Sequence, residues 1–228
     1  MSRLIKDNLA AVKARIAETA KEAGRRPEEI KLLAVSKTFP VQDILEAYAA
    51  GQRMFGENKV QDLEARGTSL PKDLEWHLIG HLQSNKAAKA VSLAAWIHSI
   101  DSLKLLERVS RLAAETGVKP TILLELNVSG EESKFGERDS DAALRLAESA
   151  AKEPSINFAG LMTMAPIDAD ESVRRQIFSS LREMRDRMES TLSIKLPELS
   201  MGMSLDYAEA IKEGSTIVRI GTAIFGGR

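Results

Sequence analysis

Lys37 is the residue of this sequence best placed to do chemistry. It follows the apolar run Leu32, Leu33, Ala34, Val35 and then Ser36, and Pro40 blocks continuation of a strand into a neighbouring hydrogen-bond ladder. By the two-residue period of a strand, Leu33, Val35 and Lys37 share one face, so the amine is expected beside core side chains. Desolvation there favours the neutral amine, a nucleophile able to attack a carbonyl. A lysine at a strand rim can equally lay its methylenes on apolar neighbours and keep its charge in water. The choice depends on what the rest of the chain brings to it.

Two stretches near the C-terminus carry a second kind of chemistry. Ser200, Met201, Gly202, Met203, Ser204, Leu205, Asp206 and, later, Arg219, Ile220, Gly221, Thr222 combine glycines with hydroxyls. Gly202 and Gly221 let backbone approach a ligand closely, and Ser204 and Thr222 add hydroxyl donors. Asp206 and Glu209 are spaced as a capping pair, which would aim a helix N-terminus at the same spot. The pieces together read as a phosphate cup, although each alone is equally a turn glycine or a cap.

The histidines do not read as metal ligands. His77 and His81 would share an ion on a helix, but on a strand they stand ~13 Å apart at ~3.3 Å per residue. His98 reads as a packed core residue, and His81, just past a strand end, can reach a rim or serve structure. No metal site is expected.

These residues need elements to bring them together. Met1 to Ala23 has a helical stripe through Leu4, Ile5, Leu9, Val12, Ile16 and Ala20, with Gly24 as its stop. Strands are expected at Lys31–Ser36, Arg53–Glu57, Trp76–Gly80, Ala95–Ile100, Thr121–Val128, Ile156–Met162, Glu198–Met201 and Ile217–Ile220. Helices alternate with them: Val41–Ala50, Lys59–Arg66, Lys86–Val91, Leu103–Thr116 capped by Asp101 and Ser102, Asp141–Ala151, and Tyr207–Lys212. Another carries the stripe Val173, Ile177, Leu181, Met184, Met188, and its Arg174, Arg175, Arg182, Arg185 and Arg187, mixed with acids, read as a solvated face. Ser129 to Gly136 is a polar loop.

Eight strands alternating with helices and no linker predict one α/β domain over residues 1–228, a (β/α)8 TIM barrel with an extra N-terminal helix. An open doubly wound sheet is the alternative, weakened because Ser36, Lys37, Thr38 is not a glycine-rich dinucleotide fingerprint. In such a barrel the strands' C-terminal ends carry the site, and phosphate binds after the last two strands. That puts Lys37 and the phosphate cup on one rim. A Schiff-base amine beside a phosphate site suggests pyridoxal phosphate.

Composition excludes other classes. The 228 residues hold 32 Lys+Arg against 33 Asp+Glu, a net charge of -1, which lacks the basic field that nucleic acid requires. No cysteine is present, which removes thiolate and disulfide chemistry and is compatible with a reducing cytosol. The N-terminus lacks a signal-peptide core and no stretch approaches the ~20 apolar residues of a membrane span, so a cytoplasmic protein is expected.

Segments spread along the chain carry a family resemblance: Ala34–Thr38 (AVSKT), Phe55–Asn58 (FGEN), Trp76–Lys86 (WHLIGHLQSNK), Leu126–Gly136 (LNVSGEESKFG), Gly160–Thr163 (GLMT), Leu199–Ser204 (LSMGMS) and Val218–Gly226 (VRIGTAIFG). Over nearly its whole length the chain resembles the pyridoxal phosphate homeostasis protein family, whose barrel is similar to the N-terminal domain of alanine racemase. The resemblance implies pyridoxal 5'-phosphate held as an aldimine on Lys37, its phosphate on Ser204, Gly221 and Thr222, Arg219 directed at the pyridine nitrogen, and Asn58 and His81 nearby. Lys59 and Asp62 depart from the tyrosine and glutamate more usual after the GEN motif, which bears on the outer surface of that loop.

An arginine cannot accept the ring-nitrogen proton as an aspartate would, so carbanion chemistry is expected to be poor. Alanine racemases pair their lysine with a tyrosine from a second, β-rich domain. Here the sequence ends at Arg228, Tyr48 and Tyr207 fall in helices, and a second proton-transfer base is expected to be missing. The expectation is a reversible covalent carrier of pyridoxal phosphate, monomeric and without turnover, with PLP-dependent apo-enzymes as recipients. The alternatives are a small racemase using His81 or Ser129 as second base, and a barrel binding a phosphometabolite noncovalently.

Overall fold

The computed structural model describes residues 5–67, 69–129 and 135–227. Strands β1 (Lys31–Val35), β2 (Met54–Glu57), β3 (Glu75–Leu78), β4 (Trp96–Ile100), β5 (Thr121–Glu125), β6 (Asn157–Met162), β7 (Glu198–Met203) and β8 (Ile217–Ile220) are parallel, lie in sequence order and close with β8 on β1. The helices are α1 (Ile5–Glu22), α2 (Val41–Ala49), α3 (Val60–Arg66), α4 (Ala87–Leu93), α5 (Leu103–Thr116), α6 (Ser140–Lys152), α7 (Glu171–Leu192), α8 (Tyr207–Lys212) and α9 (Thr222–Phe225). The (β/α)8 barrel is closed, and the open sheet is excluded.

Alternation along each strand points one set of side chains out toward the helices, where they form two core clusters, and the other set into the barrel. Outward residues such as Leu78, Ile97, Ile122, Leu124, Leu161 and Leu199 pack under α4 to α7, while Leu32, Ala34, Val218 and Ile220 pack with α1, α2 and α8. The buried stripe Ile5, Leu9, Val12, Ile16, Ala20 makes α1 part of that second core, and Asn8 Nδ2 donates to Ile224 O at 2.9 Å, tying α1 to α9. Truncating Leu9, 2% exposed, to alanine would cost about 2–5 kcal/mol. Inward positions carry polar groups as well: His77, His98 and Ser200 are completely buried and Arg219 nearly so.

Several boundaries differ from expectation for local reasons. Strand β5 stops at Glu125 because the next backbone groups pair elsewhere, Asn127 N with Glu137 O and Thr163 Oγ1 with Leu126 O. In α7 Val173 is 40% exposed and Phe178 is buried instead. Ser102 makes no cap bond to α5; its hydroxyl donates to Asp101 Oδ1. Asp206 and Glu209 are no capping pair, since Asp206 Oδ1 accepts from Met203 N and Glu209 pairs with Arg174. Thr222 opens α9 rather than lying in a loop. Met1–Leu4 of the expected first helix and residues 130–134 of the expected polar loop lie outside the described residues.

Candidate functional site

The strands' C-terminal ends open into one cavity of about 680 Å³, within the range of small-molecule sites. Lys37, Asn58, His81, Ser204, Arg219, Gly221 and Thr222, all singled out from sequence, line it together. They come from five βα turns, those after β1, β2, β3, β7 and β8, and from β8 itself.

Lys37 sits differently from the strand-period expectation. The strand ends at Val35, Ser36 to Phe39 form a turn, and Lys37 is exposed at the cavity wall rather than desolvated among core side chains. What the fold supplies is a rigid mount. Buried Ser36 Oγ donates to Glu57 Oε1 at 2.6 Å, and Arg66 Nη1 meets the same oxygen at 2.5 Å. Arg66 also donates to Ser36 O and Phe39 O, both at 2.9 Å, so one guanidinium clamps both ends of the turn. Burial pushes the Glu57 carboxyl up, opposed by Ser36 and Arg66. Thr38 carries φ 68, a left-handed value that costs a β-branched residue about 1–2 kcal/mol and persists because the surrounding bonds hold it.

The β7 and β8 turns form a wall of hydroxyls and glycine backbone. Pairing between β7 and β8 slips between Ser200 and Met203, and the irregularity lies at Gly202, φ 92, where a Cβ would stand 2.9 Å from Tyr207 Cα. Beyond the slip Ser204 lines the cavity with Gly221 and Thr222. Arg174 of α7 joins them: it is mostly buried, pairs with Glu209 at 3.5 Å and donates to Leu205 O at 3.3 Å. Its place corrects the solvated-face expectation for this arginine. Arg175 and Arg182, by contrast, pair with Glu213 away from the cavity.

Arg219 closes the floor. Its Nη1 donates to Ser200 O at 2.6 Å and Ser200 Oγ at 2.7 Å, and its Nη2 to Thr163 O at 2.8 Å. A guanidinium has more N–H donors than these bonds use, so some are left for a ligand. Burial lowers its pKa to about 10, against the attraction of Asp206 and Glu125, and it stays charged at neutral pH. At the opposite wall His81 Nδ1 lies 3.3 Å from Asp101 Oδ2, and its ring stacks on Phe135 with centroids 3.9 Å apart. Gly80 lets the β3 turn cross Asn58, because a Cβ there would lie 2.3 Å from Asn58 O.

Glu125, at the end of β5, is the residue sequence inspection missed. It is 3% exposed, lines the cavity, and its Oε2 has no hydrogen-bond partner among the described residues. Burial first, then Asp101, push its carboxyl up to about 7, against the pull of Arg219. A glutamate ending an apolar strand is the one signal that could have marked it. Arg66 and Arg174 left none, since each sits on a helix of ordinary amphipathic pattern. Tyr48, bonded to Asp73, and Tyr207 do not line the cavity. Ser129, a candidate base from sequence, bonds Asn127 Oδ1 at 3.0 Å and is likewise not part of its wall.

Comparison with known proteins agrees with the barrel fold. Residues 8–228 match the family described as alanine racemase, N-terminal domain. The chain is 43% identical over 228 residues to the pyridoxal phosphate homeostasis protein of Pseudomonas aeruginosa, covering 98% of this chain and 96% of that protein. It is 40% identical over 223 residues to that of Aquifex aeolicus, covering 97% of each. Among solved structures it is similar to PipY of Synechococcus elongatus with PLP bound, at TM-score 0.83 and 40% identity over 92% of this chain and 100% of that one. The alanine racemase of Clostridium difficile shares the fold, with TM-score 0.77 at 15% identity over 99% of this chain and 57% of the racemase.

Proposed function

The chain belongs to the alanine racemase N-terminal domain family and, within it, to the pyridoxal phosphate homeostasis proteins, and on that premise we propose that it binds pyridoxal 5'-phosphate reversibly through Lys37 and holds it without catalytic turnover. The observation that carries this reading is the gathering of an exposed lysine, a wall of hydroxyls and glycine backbone, and a charged guanidinium around one cavity. The residues present fit the group. Arg174, Ser204, Thr222 and the backbone at Gly221, where no Cβ intrudes, would hold its phosphate; Arg219 would face its ring nitrogen; Asn58 and His81 would flank it. When bound, the cofactor supplies an electron sink for carbanions at an attached amino acid.

The chain's own groups bear on how far that sink is used. Arg219 donates and cannot take the ring-nitrogen proton, which favours retention over carbanion chemistry. The Ser36–Glu57–Arg66 mount holds the turn that carries Lys37 at the wall. A second reading, a slow racemase, is favoured by Glu125, whose pKa of about 7 suits a proton-transfer group at neutral pH. We take the holding role as primary, with PLP-dependent apo-enzymes as recipients and a monomeric, single-domain chain acting in the cytoplasm.

Absorbance titration with pyridoxal phosphate tests it. Wild type should develop a visible band that Lys37→Ala lacks, and loaded protein should hand cofactor to an apo-enzyme in the presence of a trap for the free form. Identical spectra for the two proteins would exclude the covalent reading, and racemisation of an amino acid that requires both Lys37 and Glu125 would establish the second.

A further inference from the structure

The cavity stops at Arg219, but the hydrogen bonds continue through the barrel. Arg219 Nη1 is 2.7 Å from Ser200 Oγ, Ser200 Oγ is 2.9 Å from His98 Nδ1, His98 Nε2 is 2.9 Å from His77 Nδ1, and His77 Nε2 is 3.0 Å from Glu75 Oε1. Ser200, His98 and His77 have no exposure. Glu75 is the first residue of β3, so it lies at the N-terminal mouth, opposite the cavity, with its side chain 44% exposed. Trp96 stacks on the His77 ring with centroids 5.1 Å apart and an interplanar angle of 9°, closing that end.

The protons along this chain have one consistent arrangement. Burial lowers the pKa of His77 and lowers that of His98 well below the usual histidine range, so both rings are neutral, each with one donor and one acceptor. The hydrogen bond to His77 holds the Glu75 carboxyl ionised, and a carboxylate only accepts, so His77 carries its proton on Nε2. His77 Nδ1 then accepts from His98 Nε2–H, His98 Nδ1 accepts from the Ser200 hydroxyl, and Ser200 oxygen accepts from Arg219. Every donor points toward Glu75. A guanidinium that keeps its protons ends the chain, so it passes orientation and polarisation rather than protons.

We propose that Glu75 is a positioning residue for Arg219, fixing and polarising the guanidinium from the far mouth of the barrel through His77, His98 and Ser200. This rests on the proposed function, in which Arg219 faces the ring nitrogen of bound pyridoxal phosphate. Glu75→Gln isolates the idea, because the amide oxygen still accepts from His77 while the charge is gone. A network that merely fills the barrel would tolerate that change.

The test is a cycle of wild type, Glu75→Gln, Ser200→Ala and the double variant. Each is titrated with pyridoxal phosphate while the absorbance maximum of the bound form and its dissociation constant are followed. Glu75→Gln should shift the maximum and weaken retention at least about twofold in wild type, the low end for groups coupled in one network, and should do neither once Ser200→Ala has cut the chain. Equal effects in both backgrounds, or none in wild type, would overturn the proposal. His98→Gln supplies the cut if Ser200→Ala does not fold. If no Lys37-dependent band forms in wild type, the proposed function has failed, and the relay is read on ligand-free protein by NMR of the His98 ring and Arg219 guanidinium nitrogens. Movement of both in Glu75→Gln supports the relay, and unmoved Arg219 signals refute it.

Discussion

Lys37 and Glu125 face one cavity under opposite conditions, the lysine exposed on its turn and the glutamate buried at a strand end with no partner for Oε2 among the described residues. The carboxyl is held at about 7 rather than 4.5, so the folded chain binds that proton more tightly than the unfolded chain does. Its contribution to stability is complete below about pH 4.5 and is lost as the pH rises through about 7. Glu125→Gln keeps the shape without the titration. In ligand-free protein it should therefore gain on wild type between about pH 5 and about pH 8, by on the order of 3 kcal/mol, in denaturant unfolding. Unfolding free energies that run parallel across that range would refute the assignment.

Single elements do two jobs in this barrel. Helix α7 buries Ile177, Phe178, Leu181 and Met188 against the core while its first turn delivers Arg174 to the cavity mouth. Helix α3 likewise ends on Arg66, which clamps the turn carrying Lys37. A charge-assisted bond to phosphate accounts for about 1.5–3 kcal/mol, so Arg174→Ala should weaken pyridoxal phosphate binding about tenfold or more, with a smaller deficit at high salt. Arg175→Ala, one residue along and paired with Glu213, should leave affinity unchanged. Equal losses in a fluorescence titration would mean that α7 contributes only general positive charge.

At the scale of the whole molecule, the three most exposed large apolar side chains among the described residues lie where the cavity opens. Ile167 is 79% exposed, Leu205 70% and Phe135 53%, and all three line the mouth. Solvent-facing side chains of this size grouped around a cavity suit contact with another protein. If recipient enzymes take cofactor by direct contact, Ile167→Ser combined with Leu205→Ser should slow trap-resistant transfer about fivefold while changing affinity for free pyridoxal phosphate less. Parallel losses in transfer and affinity would place these residues in cofactor binding alone. Among the described residues no helix is long and apolar enough to cross a membrane.

The alternating β/α order, the lysine at the end of β1 and the hydroxyl-bearing turns after β7 and β8 were legible in the sequence by itself, because periodicity and strand ends are local properties. The seven motif blocks also carried the family resemblance without coordinates. Closure of β8 onto β1, the exposure of Lys37, Arg174 in the cavity wall and the burial of Glu125 were decided only by the tertiary structure. So was the chain from Arg219 to Glu75, in which His98 meets Ser200 from 102 positions away. The reason is physical: burial, and with it the pKa of a carboxyl or a histidine, depends on what distant strands bring across the barrel, and no local pattern records that.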